Sequence, residues 1–179
     1  RHLKKLLETE EELRKDLSIS APERTLCIQA DVTDKDQIVS MTDQIMNRYK
    51  HIDILCNNAG ISKEMPLIDM PFEVFDQIMI SNMRSAMLVT KTVLPLMIAQ
   101  EYGRIINIGS GAAIRGLPGS TAYSASKAAL VSFTQALGDE LRNQMNYRNI
   151  RVNAICPGPV DTELFRKSER RQFILDAGG

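Results

Sequence analysis

The sequence predicts an α/β fold in which a parallel sheet is covered by helices on both faces. Four short runs are largely apolar, a pattern typical of parallel strands that are buried on both sides. Segments with helical periodicity separate these runs, as the crossover connections of a parallel sheet require. The runs lie at residues 25–30, 52–56, 104–108 and 150–155. The 179 residues contain no internal repeats and are expected to form a single domain.

The connecting segments have the features of amphipathic helices. The first carries a leucine stripe, which predicts a helix that packs over a sheet face. The second is expected to begin after Thr33 or Asp34, since either side chain can cap a helix. The stripe comprises Leu3, Leu6, Leu7 and Leu13, and the other helices are predicted at residues 71–100 and 121–146.

Composition excludes several classes of partner. The 22 basic and 22 acidic residues balance, and no basic block of the kind that follows a phosphate backbone occurs, so no nucleic-acid partner is expected. No apolar run approaches the ~20 residues that span a bilayer, and the first residues lack the apolar centre of a secretion signal. We therefore expect a cytoplasmic protein without a membrane span.

The three cysteines indicate the same compartment. Cys27, Cys56 and Cys156 lie in apolar runs or at their ends, and their number is odd. Their spacing is not that of metal ligands, so no metal site is expected. Buried, reduced thiols in a cytosolic compartment are the resulting prediction.

A tyrosine and a lysine four residues apart give the strongest chemical signal. In residues 123–127, Tyr-Ser-Ala-Ser-Lys, the phenol of Tyr123 and the ammonium of Lys127 lie on one helix face, a turn apart. Free tyrosine titrates near pH ~10, and a lysine beside a tyrosine stabilises the phenolate, which makes such a pair a usable acid or base. Ser110 ends a strand-like run, where its hydroxyl can hold a carbonyl oxygen facing the phenol. Together they predict hydride chemistry at a carbonyl or carbinol carbon.

The Tyr-x-x-x-Lys spacing alone is weak, because amphipathic helices produce it by chance and a surface tyrosine over a lysine stem shows it too. Further segments follow at the ends of the apolar runs and in the long helix. They are Asp31-Val32, Asn57-Asn58-Ala59-Gly60, Asn82 and Pro157-Gly158-Pro159-Val160-Asp161-Thr162. In this order and at these spacings, the sequence resembles the short-chain dehydrogenase/reductase family, in its single-domain branch, up to about Thr162.

The resemblance implies a Rossmann-like, doubly wound parallel sheet in three layers, αβα, of which this chain is a partial copy. Family members begin with a strand, a glycine-rich turn and a helix, but no Gly-x-Gly-x-x-Gly occurs here. In the family strand order 3-2-1-4-5-6-7, the run at residues 25–30 corresponds to strand three. The first two strands are therefore missing. We expect strand three to pair directly with strand four, to find another chain, or to stay loosely attached.

The sequence is also short after Thr162, in the region that carries the substrate helix of the family. Residues 163–171 resemble the start of that helix. Residues 173–179 resemble the closing strand of the family, which would mean that an intervening segment is missing; the alternative is a fortuitous tail.

The resemblance assigns roles to four catalytic candidates, and each has a purely structural alternative. Tyr123 would be the general acid/base, or a surface tyrosine at a helix start. Lys127 would support Tyr123 and hold the nicotinamide ribose, or be a solvated lysine. Ser110 would orient the reacting oxygen, or form a turn. Asn82 would anchor a water relay to Lys127, or bend the long helix.

The remaining candidates would bind the cofactor. Asp31 would reach the adenine amino group, although the sequence Asp-Val-Thr-Asp also suits a helix cap. Small residues after the second run would close a turn and admit the cofactor. The full set is Asp31, Val32, Asn58, Ala59, Gly60, Tyr123, Lys127, Pro157, Gly158, Val160 and Thr162.

The resemblance further implies a nicotinamide cofactor, a small ketone or secondary-alcohol substrate, and a homodimer or homotetramer formed by the two long helices. Arg1 stands about where a phosphate-binding arginine often falls in the family, with Lys4 and Lys5 nearby, which favours NADP over NAD, although a solvated basic helix start has the same composition. Two functions stay open: an NAD(P)-dependent oxidoreductase, or a truncated, catalytically silent chain that serves as an oligomerisation or interaction module.

Overall fold

A computed structural model describes residues 3–16 and 24–160 of the chain. Five α-helices and three β-strands follow one another, and two π-helical turns extend the long helices. The helices are α1 (Leu3–Asp16), α2 (Lys35–Tyr49), α3 (Phe72–Met79), α4 (Ser85–Ala99) and α5 (Thr121–Asp139). The strands are β1 (Ile54–Asn57), β2 (Gly103–Ile108) and β3 (Ile150–Ile155), and the π-helical turns are Ile80–Arg84 and Glu140–Gln144.

The strands form a parallel sheet in the order β1-β2-β3. Ile54 lies opposite Arg104, and Gly103 lies opposite Ile150. Because all strands run the same way, their carboxyl ends meet at one edge, where open α/β sheets bind ligands. The parallel α/β fold class is therefore confirmed, and the last three predicted strands are present within two residues of their predicted ends.

The core lies on one face of the sheet. Ile105 of β2 and Ile150 of β3 point into it, and α2, α4 and α5 cover it with apolar side chains. The buried core of these elements comprises Ile38, Val89, Val93, Met97, Ile105, Leu137, Leu141 and Ile150. On the opposite face, the Ile54 and Ile155 side chains are 62% and 51% exposed. Within the described ranges the helices cover one sheet face, and the third layer stays a prediction.

The predicted strand at residues 25–30 is wrong, because this segment belongs to no ladder of the sheet. A strand is defined by the partner that completes its hydrogen bonds, and β1 pairs only with β2 among the described strands. Helix α1 is confirmed, but its packing on a sheet face is not: Leu7 and Leu13 are exposed. Instead, α1 binds the 25–30 segment, where the Thr25 hydroxyl donates to Glu10 at 2.5 Å.

Two local predictions have clear outcomes. Asp34 caps α2, since its carboxylate accepts the amides of Asp36 and Gln37 at 2.9 and 3.2 Å. These bonds, with Gln37 contributing most, lower the pKa of Asp34, so their stabilisation is present above the unfolded pKa and is lost as the pH falls through the folded one. The predicted burial of the three cysteines is wrong: Cys56 is exposed because its sheet face is uncovered, and Cys27 and Cys156 are only half-buried.

A buried polar network ties the sheet to the two long helices. The Asn57 side-chain amide donates to the Thr90 hydroxyl of α4 at 3.0 Å and to the side-chain oxygen of Asn107 at 2.8 Å. Asn107, which is fully buried, donates in turn to Thr134 of α5 at 2.9 Å. Neighbouring strands and both helices therefore share one chain of hydrogen bonds through Asn107.

We expect Asn107→Ala to lower the free energy of unfolding by about 2–4 kcal/mol, because it leaves buried polar partners unsatisfied and a cavity behind. Urea denaturation measures the change. Asn153→Ala is the matched control, since Asn153 is an exposed asparagine on β3, and it should cost less than about 0.5 kcal/mol. Equal losses for both variants would show that the network contributes nothing.

Candidate active site

The candidate site lies at the carboxyl edge of the sheet, where the loops after the three strands meet. The Gly109 amide donates to the Ile155 carbonyl at 2.7 Å, and the Gly111 amide donates to the Pro157 carbonyl at 2.8 Å. These bonds hold the loop that contains Ser110 against the loop that follows β3. Two segments that are far apart in the sequence thus form one wall of the site.

Tyr123 and Lys127 occupy the first two turns of α5, as predicted. The Lys127 nitrogen lies 5.8 Å from the centroid of the Tyr123 ring and donates a hydrogen bond to the Ile108 carbonyl at 2.7 Å. Lys127 is only 4% exposed, so the alternative of a solvated lysine is wrong. Burial lowers the pKa of Lys127, and a smaller effect of the Cys156 sulfur opposes that shift.

Asn82 lies in the π-helical turn that joins α3 to α4. Its carboxamide oxygen accepts the Ile61 amide at 2.7 Å, and its nitrogen donates to the Ile61 carbonyl at 2.9 Å and to the Ser126 hydroxyl at 3.0 Å. π-Helical turns occur frequently at functional sites. Asn82 therefore lies in a distorted helical turn, as its structural alternative predicted, and it also clamps the loop after β1. Its role in a water relay to Lys127 stays a prediction.

Gly60 brings this loop close to the buried lysine. A Cβ atom at Gly60 would lie 3.1 Å from the Asn82 side-chain oxygen and 3.5 Å from the Lys127 nitrogen. A side chain at this position would therefore press on the Asn82 amide and come into van der Waals contact with the Lys127 ammonium. The structure thus brings two predicted site residues, Asn82 and Lys127, close to a third, since both side chains lie within 3.5 Å of the position that a Cβ atom of Gly60 would occupy.

Ser110 adopts an extended backbone and caps the short helical turn Gly111–Ala113. Its side-chain oxygen accepts the Ala112 amide at 3.1 Å. The alternative role of Ser110, forming a turn, is therefore confirmed by this hydrogen bond. This bond does not test the catalytic role of Ser110, because the hydroxyl keeps a second lone pair and a proton with which it can bind a substrate oxygen.

The predicted cofactor residues fall into two groups. Asp31 accepts the amide and hydroxyl of Thr33 at 2.9 and 2.7 Å, which is the helix-entry role that its sequence also suggested. The neighbouring Val32 packs against the core. The others line the strand ends: Asn58, Ala59, Gly60, Gly158 and Val160 are exposed and Pro157 is half-buried. Thr162 lies outside the described residues.

Sequence reasoning missed the residues that hold the site together. Ser126 and the backbone groups of Ile61 and Ile108 carry none of the predicted roles, yet they bond directly to Asn82 or Lys127. Backbone acceptors leave no trace in residue type. For Ser126 a signal exists, because it directly precedes Lys127 and follows Tyr123 by three residues, which places it one helical turn from the phenol.

Two absences hold for the part of the chain that the structure describes. No group of three His, Cys, Asp or Glu side chains there has the arrangement of a metal site. None of the helices in residues 3–16 and 24–160 is both long and apolar enough to span a bilayer.

Comparison with known proteins identifies the family. The family model described as short chain dehydrogenase matches residues 1–172. The chain therefore belongs to the short-chain dehydrogenase family, as the motifs indicated, and this family has a Rossmann-like fold.

Several bacterial proteins are similar to part of this chain. The 3-oxoacyl-acyl-carrier-protein reductase FabG of Thermotoga maritima is 40% identical over 136 residues, which are 76% of this chain and 54% of that protein. FabG of Haemophilus influenzae is 41% identical over 74% of this chain and 53% of its own. The NAD-dependent glycerol dehydrogenase of Listeria innocua is 37% identical over 91% and 63%. The chain thus spans little more than half the length of these relatives.

The residues present fit one half of a dinucleotide. Gly60 leaves a cradle that a Cβ would fill, directly beside the buried Lys127 ammonium. A buried ammonium can donate up to three hydrogen bonds, and a ribose diol is a suitable acceptor. The sequence contains no Gly-x-Gly-x-x-Gly turn to hold a pyrophosphate.

Proposed function

We propose that the protein is an NAD(P)-dependent oxidoreductase that interconverts a ketone and a secondary alcohol. The observation that carries the proposal is the Tyr123–Lys127 pair, whose buried lysine nitrogen lies 5.8 Å from the tyrosine ring and next to the Gly60 cradle. The names of the relatives support it, because a 3-oxoacyl group contains a ketone and glycerol is an alcohol.

Each residue of the site has a task in this reaction. The nicotinamide, when bound, supplies the hydride. The Tyr123 phenol donates the proton to the carbonyl oxygen during reduction and takes it back during oxidation. The Ser110 hydroxyl holds that oxygen in front of the phenol, since a bond that strengthens as negative charge develops lowers the barrier.

Lys127 and Asn82 complete the arrangement. The Lys127 ammonium holds the ribose hydroxyls and adds positive charge beside the phenol, which favours the phenolate. Asn82 fixes the Ile61 backbone on the opposite side and anchors a water relay to Lys127. The loop that contains Pro157, which is bonded to Gly111, frames the nicotinamide carboxamide.

NADP is the proposed cofactor, with NAD as the alternative. The relatives do not decide between them, since one is named an NAD-dependent dehydrogenase. Lys4 lies 3.9 Å from Glu8 on the exposed side of α1, an ion pair that competes with a phosphate. Arg1 lies outside the described residues. Comparing NADPH and NADH affinities, with Lys5→Glu as a charge reversal, tests the preference.

The second function is that of a catalytically silent interaction module, which is the alternative because these 179 residues contain no Gly-x-Gly-x-x-Gly turn. Calorimetric titration of the 179-residue chain with NADPH separates the two functions. Saturable binding together with NADPH oxidation in the presence of ketones supports the oxidoreductase. A chain that neither binds NADPH nor oxidises it, even after the glycine turn is added, overturns the oxidoreductase and favours the module.

The predicted oligomer depends on ten apolar residues of the two long helical regions, residues 71–100 and 121–146, and they divide into two sets. Five lie in the core of the chain itself: Val89, Val93, Leu130, Leu137 and Leu141 are buried. The others keep contact with solvent, namely Met79, Met83, Met87, Leu96 and Phe133, and Met87 is 37% exposed. The second set is the surface that two copies would share.

We expect a dimer or tetramer at micromolar concentration, because paired helices would bury this second set. Light scattering gives the mass, and Met87→Lys should shift it towards the monomer. Ile68→Lys is the control, since Ile68 is 93% exposed but lies outside both helices. A monomeric wild-type chain would contradict the prediction.

A further inference from the structure

Ser126 joins the π-helical turn to the first turn of α5. Its hydroxyl oxygen accepts a hydrogen bond from the Asn82 side chain at 3.0 Å, and its proton is donated to the Tyr123 carbonyl at 2.7 Å. The residue is 0% exposed. One buried hydroxyl therefore links the asparagine of one element to the backbone of the residue that carries the phenol.

The bonds continue beyond Asn82 to the loop after β1. Asn82 holds both the amide and the carbonyl of Ile61, at 2.7 and 2.9 Å. Ile61, Asn82, Ser126 and the Tyr123 carbonyl thus form an unbroken chain of hydrogen bonds across three segments of the fold. These segments are the loop that contains Gly60, the π-helical turn, and the start of α5.

Helix α5 does not need this hydroxyl in order to form. In an α-helix, the carbonyl of residue 123 already accepts the amide of residue 127, and alanine has a higher helix propensity than serine. The Ser126 bonds are therefore additional to the helix. What they determine is the position of the first turn relative to Asn82.

We propose that Ser126 is a positioning residue, which fixes the Tyr123 turn of α5 against Asn82 and the Ile61 loop. Its catalytic consequence rests on the proposed function, because acid/base transfer requires the phenol to be held at a set distance from the reacting oxygen. Misplacement by about 1 Å can cost about a hundredfold in rate. The bonding itself is independent of any activity.

The first test uses NMR on the whole chain with Ser126→Ala, Ser126→Thr and Ser85→Ala. Ser85 is a matched control: it is also buried and donates to a carbonyl about one helical turn before it, that of Ser81, at 2.6 Å, but the Asn82 side chain donates to Ser126 and not to Ser85. The signals are hydrogen exchange of the Asn82 side-chain amide and the carbonyl carbon shift of Tyr123.

Ser126→Ala should speed the amide exchange about tenfold or more and move the Tyr123 carbonyl resonance upfield, since both bonds are lost. Ser126→Thr, which keeps a hydroxyl, should restore both signals, and Ser85→Ala should change neither. Unchanged signals in Ser126→Ala would overturn the proposal, whether or not the chain has activity.

The second test measures ketone reduction by the same variants. Ser126→Ala should lower kcat about tenfold with KM for the ketone and Kd for NADPH within twofold, and threonine should recover kcat. Altered NMR signals with an unchanged kcat would overturn the positioning role. If the wild-type protein reduces no ketone, the proposed function fails, whereas the two NMR signals still decide whether Ser126 fixes the turn.

Discussion

Replacing Tyr123 with phenylalanine should lower the turnover of ketone reduction by about a hundredfold or more, the scale of general acid catalysis. The variant keeps the ring and removes only the phenol oxygen, which is the sole proton donor that the mechanism assigns to this side of the substrate. Lys127 keeps its bond to the Ile108 carbonyl, so the affinity for NADPH should barely change. Steady-state kinetics and calorimetric titration measure the two quantities, in a version of the chain that includes an amino-terminal glycine turn.

Tyr102→Phe is the matched control, because Tyr102 is an exposed tyrosine just before β2 that stacks on Arg104. It should leave turnover unchanged. If Tyr123→Phe keeps near-normal activity, the acid/base role fails, and with it the central step of the proposed mechanism.

The sequence predicted correctly those helices and strands that find their packing or hydrogen-bonding partners among the described residues. The run at residues 150–155 is the strand Ile150–Ile155, and α5 begins at Thr121 as predicted. The run at residues 25–30 has a similar apolar composition, but it joins no ladder. An apolar composition indicates that a segment can form a strand. Whether it pairs depends on a neighbouring strand, which the composition of the segment does not reveal.

In the candidate site, too, local features were predictable from the sequence and contacts between distant segments were not. The Tyr123–Lys127 spacing is local, so one helical turn is enough to predict that the two side chains lie together. The contacts of Asn82 span 21 residues to Ile61 and 44 residues to Ser126. They depend on a π-helical turn and on the packing of α3 against α5, which no local pattern in the sequence encodes.

The second large effect is expected from adding partner strands beside β1, the strand at one edge of the described sheet. β1 bonds only to β2 among the described strands, so its other edge has no partner strand there. Unpaired backbone groups at the edge of a largely buried sheet are costly. We expect that adding a strand, its glycine turn and helix, and a second strand before residue 1 makes unfolding one sharp transition and creates saturable NADPH binding at the same time.

The sharper unfolding transition and the NADPH binding have separate causes, and one control variant distinguishes them. The added strands supply backbone partners for β1, whereas binding requires the glycine turn and the positive helix end behind it. An extension with the same strands but alanines in place of the turn glycines should sharpen the urea transition without binding NADPH. If instead the 179-residue chain alone binds NADPH with micromolar affinity and melts in one sharp transition, the edge of β1 is not limiting. The silent-module function would then be excluded, because the site would be complete without any added strand.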